Sequence, residues 1–366
     1  MTPRQSSPSP DHRRILATAS AAPADGGGVS WSRFAGVRFR FPPAYRVVWI
    51  ALVLLVLACV VLAPAALNTI SLRIVTALTG VLIVATLGEL LVMTTGGIDV
   101  SAGAIMTLAA VIMVKTTNGL DSRMWPVAGV ALLVCLAAGL ANGVAVAVLR
   151  INALIVTLSM AGILSGAVLV WAGTNFSSSG QTPATLQSLT HKTVGPVSLI
   201  VIIALVLGVA TSAALHGTRR GRGLVAVGCN PAAARALAMP VISYQVFSYA
   251  VAGGLYGIAG IILGGFLRQP DVSLGDPYQL VTIVAVALAG VSLTGGASSV
   301  LSIFAACFFL TLLNEFLAVK SYSAGVQVMT QGLVLIAAVA LVTAGGGRRF
   351  LPAWSARAVS KSRPDD

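Results

Sequence analysis

Charge is scarce in this sequence: Asp, Glu, Lys and Arg make up 9% of its 366 residues, against roughly 25% in a soluble domain. Acid is scarcer still, with ten Asp plus Glu, and there are three His. No Gly-Lys dipeptide occurs, so the phosphate-cradling pattern GxxxxGK[ST] is absent and the chain does not hold ATP in that way. HExxH and GxSxG are absent too, and His12, His191 and His216 stand apart from one another. Catalysis within the chain is therefore not expected, and no catalytic residue is assigned. Cys59, Cys135, Cys229 and Cys307 are single and widely spaced, so they build neither a disulfide framework nor a zinc site.

What fills the sequence instead is apolar length. Hydrophobic residues make up 57% of the chain, and its mean hydropathy is +0.94. A hydrocarbon core of about 30 Å needs about 20 apolar residues per helix. Runs of that kind predict spans at 47–63, 72–94, 101–115, 127–149, 153–172, 197–215, 244–264, 279–293, 297–317 and 325–344. The expected fold is an all-α polytopic membrane protein of about ten transmembrane helices. The stretch VVWIALVLLVLACVVLA is long enough to remain as a first span rather than a cleaved signal.

The formal net charge of +13 invites a nucleic-acid reading, but the placement of the charge argues against it. Sixteen of the 23 Lys and Arg lie in three segments: before Val47, after Gly347, and at Arg219, Arg220, Arg222 and Arg235. That clustering is what the positive-inside rule expects of cytoplasmic flanks. An even number of spans puts both termini in the cytoplasm, and six spans return the chain there at the internal arginines. The domain organisation expected is a disordered basic tail at 1–46, a transmembrane domain at 47–344 with a cytosolic loop at 216–243, and a basic tail at 345–366. The polar segments 174–196 and 268–279 then lie outside, as connectors or as a surface for an extracytoplasmic partner.

Small residues recur at four-residue spacing, at Gly139 and Gly143, Gly162 and Gly166, Gly253 and Gly257, and Gly260 and Gly264. In lipid such pairs let helix backbones approach closely, so tight bundle packing is the first expectation and a pathway lining the second.

Two phrases interrupt the apolar runs. TTGGIDVSAG, at 94–103, offers Gly96 and Gly97 as a helix break, with Asp99 and Ser101 as either a cap on the next helix or a gating element. LAGVSLTGGASS, at 288–299, repeats the pattern with Gly290, Ser292, Gly295 and Gly296 as hinge or pathway residues. Glu89 and Glu315 are the ionisable residues placed within spans, where such groups are functional suspects by default. Glu315 sits near an outer end. Glu89 is deeper, and with Asp99 it leaves open a secondary transporter coupled to ions.

A third phrase, GCNPAAARALAMPV at 228–241, reads as a short Ala-rich helix in the cytosolic loop, with Pro231 suited to a first helical turn. A helix projecting from a bundle can take force from a separate motor protein. Ala232, Ala233 and Ala234 are small enough to enter a groove, and Arg235 can meet an acid there; an ordinary connector is the alternative.

GGIDVSAG, then GCNPAAARALAMPV, then GVSLTGG with an apolar run to NEF, in this order and at these separations, resembles the ribose-type permease subunits of bacterial ABC importers, in the branched-chain amino acid/ribose permease superfamily. The likeness covers about residues 70–344. It implies a sugar importer of the bacterial inner membrane, built of two permease subunits, identical or not, two cytosolic ABC ATPases and an extracytoplasmic solute-binding protein, all in lipid and without nucleic acid. ATP and Mg would sit on the ATPase, leaving no cofactor in this chain. The resemblance also places ATPase coupling on Asn230, Pro231, Ala232, Ala233, Ala234, Arg235 and Ala238. This chain carries Cys229 and Ala238 where that family commonly has glycine.

Overall fold

The structure is a computed structural model that describes residues 43–173, 181–268, 270–291, 295 and 299–346. The expected tails, apart from 43–46 and 345–346, lie outside the described residues, as do Ser292 and Gly296. Residues 43–46 and 345–346, read as tail, are helical.

Each of the ten expected spans contains a helix among the described residues, though the helix in 279–293 ends at Leu288, 197–198 is strand, and residues 292, 293, 297 and 298 lie outside the described ones. The helices are α1 (Pro43–Leu62), α2 (Thr69–Thr94), α3 (Ala102–Thr117), α4 (Met124–Ala147), α5 (Ala153–Ala172), α7 (Leu199–Gly217), α10 (Val241–Leu267), α11 (Tyr278–Leu288), α12 (Val300–Val319) and α13 (Ala324–Gly346). Six of these segments are long and apolar enough to cross a membrane unaided, and four shorter apolar helices join them. Among the described residues three further α-helices connect spans, α6 (Ala184–Thr190), α8 (Arg219–Cys229) and α9 (Pro231–Ala236), with short 3₁₀ turns at Pro64–Leu67 and Asp121–Arg123.

Burial sorts the helices into centre and rim. Every residue of α2 from Thr79 to Thr94 is buried, as is α3 from Ala102 to Val114. A helix apolar on all sides belongs in the middle of a bundle, and here α10 packs along α2, α3 and α4. The rim helices α1, α4, α5 and α7 leave Leu54, Leu133, Ile155 and Val206 exposed, the surface a lipid bilayer covers.

Most of the glycine pairs do what close packing requires. A methyl group on Gly143 would lie 2.9 Å from Val246 Cα, one on Gly257 2.9 Å from Cys135 Cβ, and one on Gly264 3.0 Å from Ala110 Cβ. Gly162 and Gly166 correct the expectation: among the described residues nothing comes within 4 Å of a methyl at either. Helix α5 lies at the edge, with only Thr157, Ala161 and Val168 buried.

Two connections are more built than polarity suggests. The segment 174–196 contains α6 and enters a short hairpin, with Thr193–Val194 pairing antiparallel to Val197–Ser198. The hairpin sits on the start of α2, where Ser198 N–H donates to Thr76 Oγ1 at 3.0 Å. The segment 268–279, expected as an outer loop, instead turns back into the bundle. Gly275 is buried against Gly103, and its N–H donates to Thr107 Oγ1 at 2.9 Å. Helices α3 and α11 therefore start side by side within the bundle. From there α3 runs with α10, Gly260 against Met106 and Gly264 against Ala110, while α11 runs back toward the end that carries Arg219 to Arg235.

Candidate functional site

Both glycine phrases end a helix by the same device. Gly96 has φ of +84° and Gly290 of +81°. In each case the next residue's N–H reaches back five positions, Gly97 to Val92 O at 3.2 Å and Val291 to Val286 O at 3.3 Å. This is the Schellman ending, in which a left-handed residue lets the last carbonyls of the helix find donors. Exposed backbone is not tolerated at membrane depth unless it is buried in protein or lines a cavity, and the segment from Thr95 to Ser101 does both.

The phrases also meet. A methyl group on Gly295 would lie 2.8 Å from Gly228 O and 3.1 Å from Gly96 N. Gly228 is at the end of α8, two residues before Asn230, the cap of α9. Thus one backbone contact joins the first helix break, the second glycine phrase and the root of the cytosolic helix.

Helix α9 is short but well specified. Asn230 Oδ1 accepts from the N–H groups of Ala232 at 3.1 Å and Ala233 at 3.0 Å, and Pro231 occupies the first turn where no donor is needed. Ala232, Ala233, Arg235 and Ala238 are exposed. Ala234, expected among the residues entering a groove, is turned inward and packs with Val227 and Val241. Leu237, which the sequence reading passed over, is 76% exposed and completes an apolar tip with Ala232 and Ala233. Ala238 has φ of +57° and ends the helix as Gly96 ends α2, with Met239 N–H on Ala234 O at 3.0 Å. Helix α8, also passed over, presents Arg219, Arg220 and Arg222 outward and buries Leu224 and Val227.

Behind the first break lies a buried polar cluster. Asp99 N–H donates to Glu89 Oε1 at 3.2 Å, and the Tyr256 hydroxyl donates to Glu89 Oε2 at 2.9 Å. Contrary to the capping expectation, Asp99 does not accept from the free N–H groups of α3; its Oδ1 accepts from the Ser101 N–H at 2.9 Å and the Ser101 hydroxyl at 2.6 Å. Asn142 Nδ2 donates to Ser101 Oγ at 2.9 Å, and Val100 N–H to Thr157 Oγ1 at 3.1 Å. The cluster thus ties α2, the break, α4, α5 and α10 together.

Two carboxyl groups are fully buried here, an arrangement that requires compensation. Their hydrogen bonds supply part of it, and the start of the 16-residue α3, three positions beyond Asp99, adds the positive end of a helix dipole. Asp99 Oδ2, Asn142 Oδ1, Thr94 Oγ1 and Tyr249 Oη are buried without a well-aligned hydrogen bond among the described residues. Among the described residues no three His, Cys, Asp or Glu come together as metal ligands. Glu315 stands apart, half-buried near the end of α12.

Tyr249 and Tyr256 are the site residues the sequence reading missed. Their seven-residue spacing on α10, two turns apart on one face, was the available signal. A methyl on Gly97 would collide with the Tyr249 hydroxyl, so the second glycine of the phrase is set by this tyrosine. Discontinuous helices whose N-termini point into a bundle are a feature of transporters that bind solute at mid-depth.

Comparison with known proteins agrees with this architecture. Residues 71–339 match the family described as branched-chain amino acid transport system / permease component. The autoinducer 2 import system permease protein LsrC of Enterobacter sp. (strain 638) is 33% identical over 287 residues, covering 77% of this chain and 81% of that protein. Its counterpart in Escherichia coli (strain K12 / DH10B) is 32% identical over 258 residues, 70% of this chain and 74% of that one. That of Salmonella paratyphi B (strain ATCC BAA-1250 / SPB7) is 30% identical over 292 residues, 78% and 83%. No solved structure matches at a comparable level. With the family match covering residues 71–339, six membrane-length apolar helices and four shorter ones among the described residues, the chain belongs to the permease components of the branched-chain amino acid transport family.

Proposed function

We propose that this chain is the membrane-spanning subunit of an ATP-driven importer for a small sugar-like solute, working by alternating access. The relatives named above are permeases of autoinducer 2 import systems, which supports a sugar-like solute over an amino acid. In this reading the Arg219 to Arg235 end and both termini face the cytoplasm, following the arginines. A separate ATPase holds ATP and Mg, a binding protein delivers solute at the opposite face, and a second permease subunit completes the pathway.

The observation that carries the mechanism is the contact of Gly295 with Gly228 and Gly96. An ATPase that seats Ala232, Ala233 and Leu237 moves α9. Because Asn230 roots α9 on Gly228, that movement reaches both glycine phrases without passing through flexible side chains. The ATPase must bind the inward and outward states differently, since equal affinity for both shifts nothing.

The test is to purify the tagged chain from its native membranes in mild detergent beside Ala233→Glu. Ala233 is exposed, so the variant inserts and folds, but it places a carboxylate without a partner in the docked groove. A P-loop ATPase recovered with the native chain and lost with the variant is the expected result. Normal uptake by the variant would sink the coupling assignment.

One observation favours a second reading, in which an ion gradient drives transport: Glu89 and Asp99, 10 residues apart in sequence, are hydrogen-bonded in a buried cluster. It requires that uptake follow the gradient rather than ATP, and that charge at Ala233 be tolerated.

A further inference from the structure

A cavity of about 420 Å³ opens beside the first helix break, between Thr95–Ile98, the turn at Asn152–Leu154 and the first turns of α10 at Gln245 and Tyr249. Its size falls in the range of about 300–1,000 Å³ that holds small molecules. It lies at the end of the bundle that carries Arg219 to Arg235, because Thr95 Oγ1 meets Ser248 Oγ at 3.2 Å, two turns into α10. Three neutral polar residues with spare hydrogen-bonding capacity line it. The Tyr249 hydroxyl is buried and makes no well-aligned hydrogen bond among the described residues, its nearest main-chain neighbour for one being Ile98. Asn152 spends its Oδ1 on the Leu154 N–H at 2.9 Å, which leaves its amide nitrogen to donate. Gln245 accepts the Ser248 hydroxyl on its backbone carbonyl, and its carboxamide makes no hydrogen bond among the described residues.

We infer that this cavity is an inward-facing subsite for a neutral, polyhydroxylated solute, with Tyr249, Gln245 and Asn152 as its contacts. No Lys or Arg lines it, so it lacks the charge-assisted donors that carboxylate or phosphate recognition uses. A buried hydroxyl left unpaired is costly, whereas hydroxyl groups of a solute can both donate to and accept from Tyr249, the Gln245 carboxamide and the Asn152 amide. Ile98, Val146 and Leu154 supply apolar walls for the carbon face of a ring or chain. The break that forms one wall also holds Gly96, which Gly295 touches. Movement of α9 therefore reshapes the subsite directly, which gives solute release a structural trigger.

This inference rests on the importer reading, and its test separates the two. Cys59, Cys135 and Cys307 are buried and Cys229 is exposed, so a Cys229→Ser background leaves no accessible thiol among the described residues. Gln245→Cys and Leu154→Cys are introduced singly, with Ser243→Cys as control because Ser243 lines a different, apolar cavity of about 580 Å³. The assembled importer is placed in inside-out vesicles, and D-ribose and autoinducer 2 are first screened for ATP-driven transport. Labelling by a methanethiosulfonate reagent is then followed with and without whichever solute is carried. The expected result is several-fold slower labelling at residues 245 and 154 and an unchanged rate at 243. Tyr249→Phe, which keeps the ring and its packing, raises KM about tenfold with Vmax retained.

Unaltered labelling at 245 and 154 in vesicles that transport would overturn the subsite and leave the importer standing. Equal protection at all three positions would also overturn it, since that reports a global change of state. An unchanged KM in Tyr249→Phe would remove Tyr249 as a contact and the subsite with it. Failure to carry either solute overturns the importer reading for a sugar-like cargo, and this inference with it.

Discussion

The backbone N–H of Asp99 donates to Glu89 Oε1, so the residue that follows the helix break is tied to the helix that precedes it. The same carboxyl group takes the Tyr256 hydroxyl from α10. Glu89 is therefore a buried acceptor for two donors, one from the break and one from α10, and this bonding gives an acid at that depth a structural role that substitution can separate from ion coupling.

Glu89→Gln should keep ATP-driven uptake within a few-fold. The amide oxygen still accepts from Asp99 N–H, and the amide nitrogen donates to the Tyr256 oxygen. Complete loss of uptake in an assembled complex would reinstate the gradient-driven reading. Glu89→Leu leaves both donors buried and unpaired, at about 1–3 kcal/mol each. A lower melting temperature of the purified protein in detergent is the expected readout.

The spans were legible because each helix carries its own signal, an apolar run long enough for the hydrocarbon core. Their order of depth was not. Nothing in RQPDVSLGDPYQ distinguishes a surface loop from one that folds back onto Gly103, because polarity reports exposure to water or to polar partners alike, and here Thr107 is that partner. The cap of α9 was readable from Asn230 and Pro231. The inward turn of Ala234 was not, since a six-residue helix of small side chains has no amphipathic pattern to read. Likewise Gly162 and Gly166 look in sequence just like Gly139 and Gly143; which helix lies at the rim is decided by the assembly of all the others.

Ala238 holds a left-handed conformation that costs an L-residue roughly 1–2 kcal/mol and glycine almost nothing. Part of that gain returns as the greater freedom of glycine in the unfolded chain. Ala238→Gly should therefore raise stability of the loop by about 0.5–1 kcal/mol, and Ala238→Val should lower it. Protection of the Met239 amide in hydrogen exchange reports the change directly, because that N–H closes the end of α9.

The glycine pairs predict opposite responses to one substitution. Gly139 has no room for a side chain: a methyl there would collide with the Tyr249 carbonyl and lie 3.1 Å from the Gly253 backbone. Gly139→Leu must separate α4 from α10 and should abolish a folded product. A Cβ at Gly162 meets nothing within 4 Å among the described residues, so Gly162→Leu should leave the melting behaviour of the purified subunit largely unchanged, with a small gain from helix propensity. Equal damage at both positions, measured by size-exclusion profiles in detergent, would mean that α5 packs elsewhere than at the rim.

Gly295→Ala separates transmission from assembly. At φ of +96° an alanine is strained, and its methyl would stand 2.8 Å from Gly228 O and 3.1 Å from Gly96 N. Both neighbours are main chain, so neither yields by a rotamer change; the junction must open. The tip of α9 at Ala232, Ala233 and Leu237 is untouched, and the ATPase should still be recovered with the variant. What should fail is the step from ATP to transport: hydrolysis continues while uptake falls more than about tenfold, a loss of at least about 1.4 kcal/mol of coupling. Loss of ATPase binding along with uptake would show that Gly295 shapes the docking surface rather than the path behind it. Normal uptake would show that motion reaches the solute pathway by a route other than these three glycines.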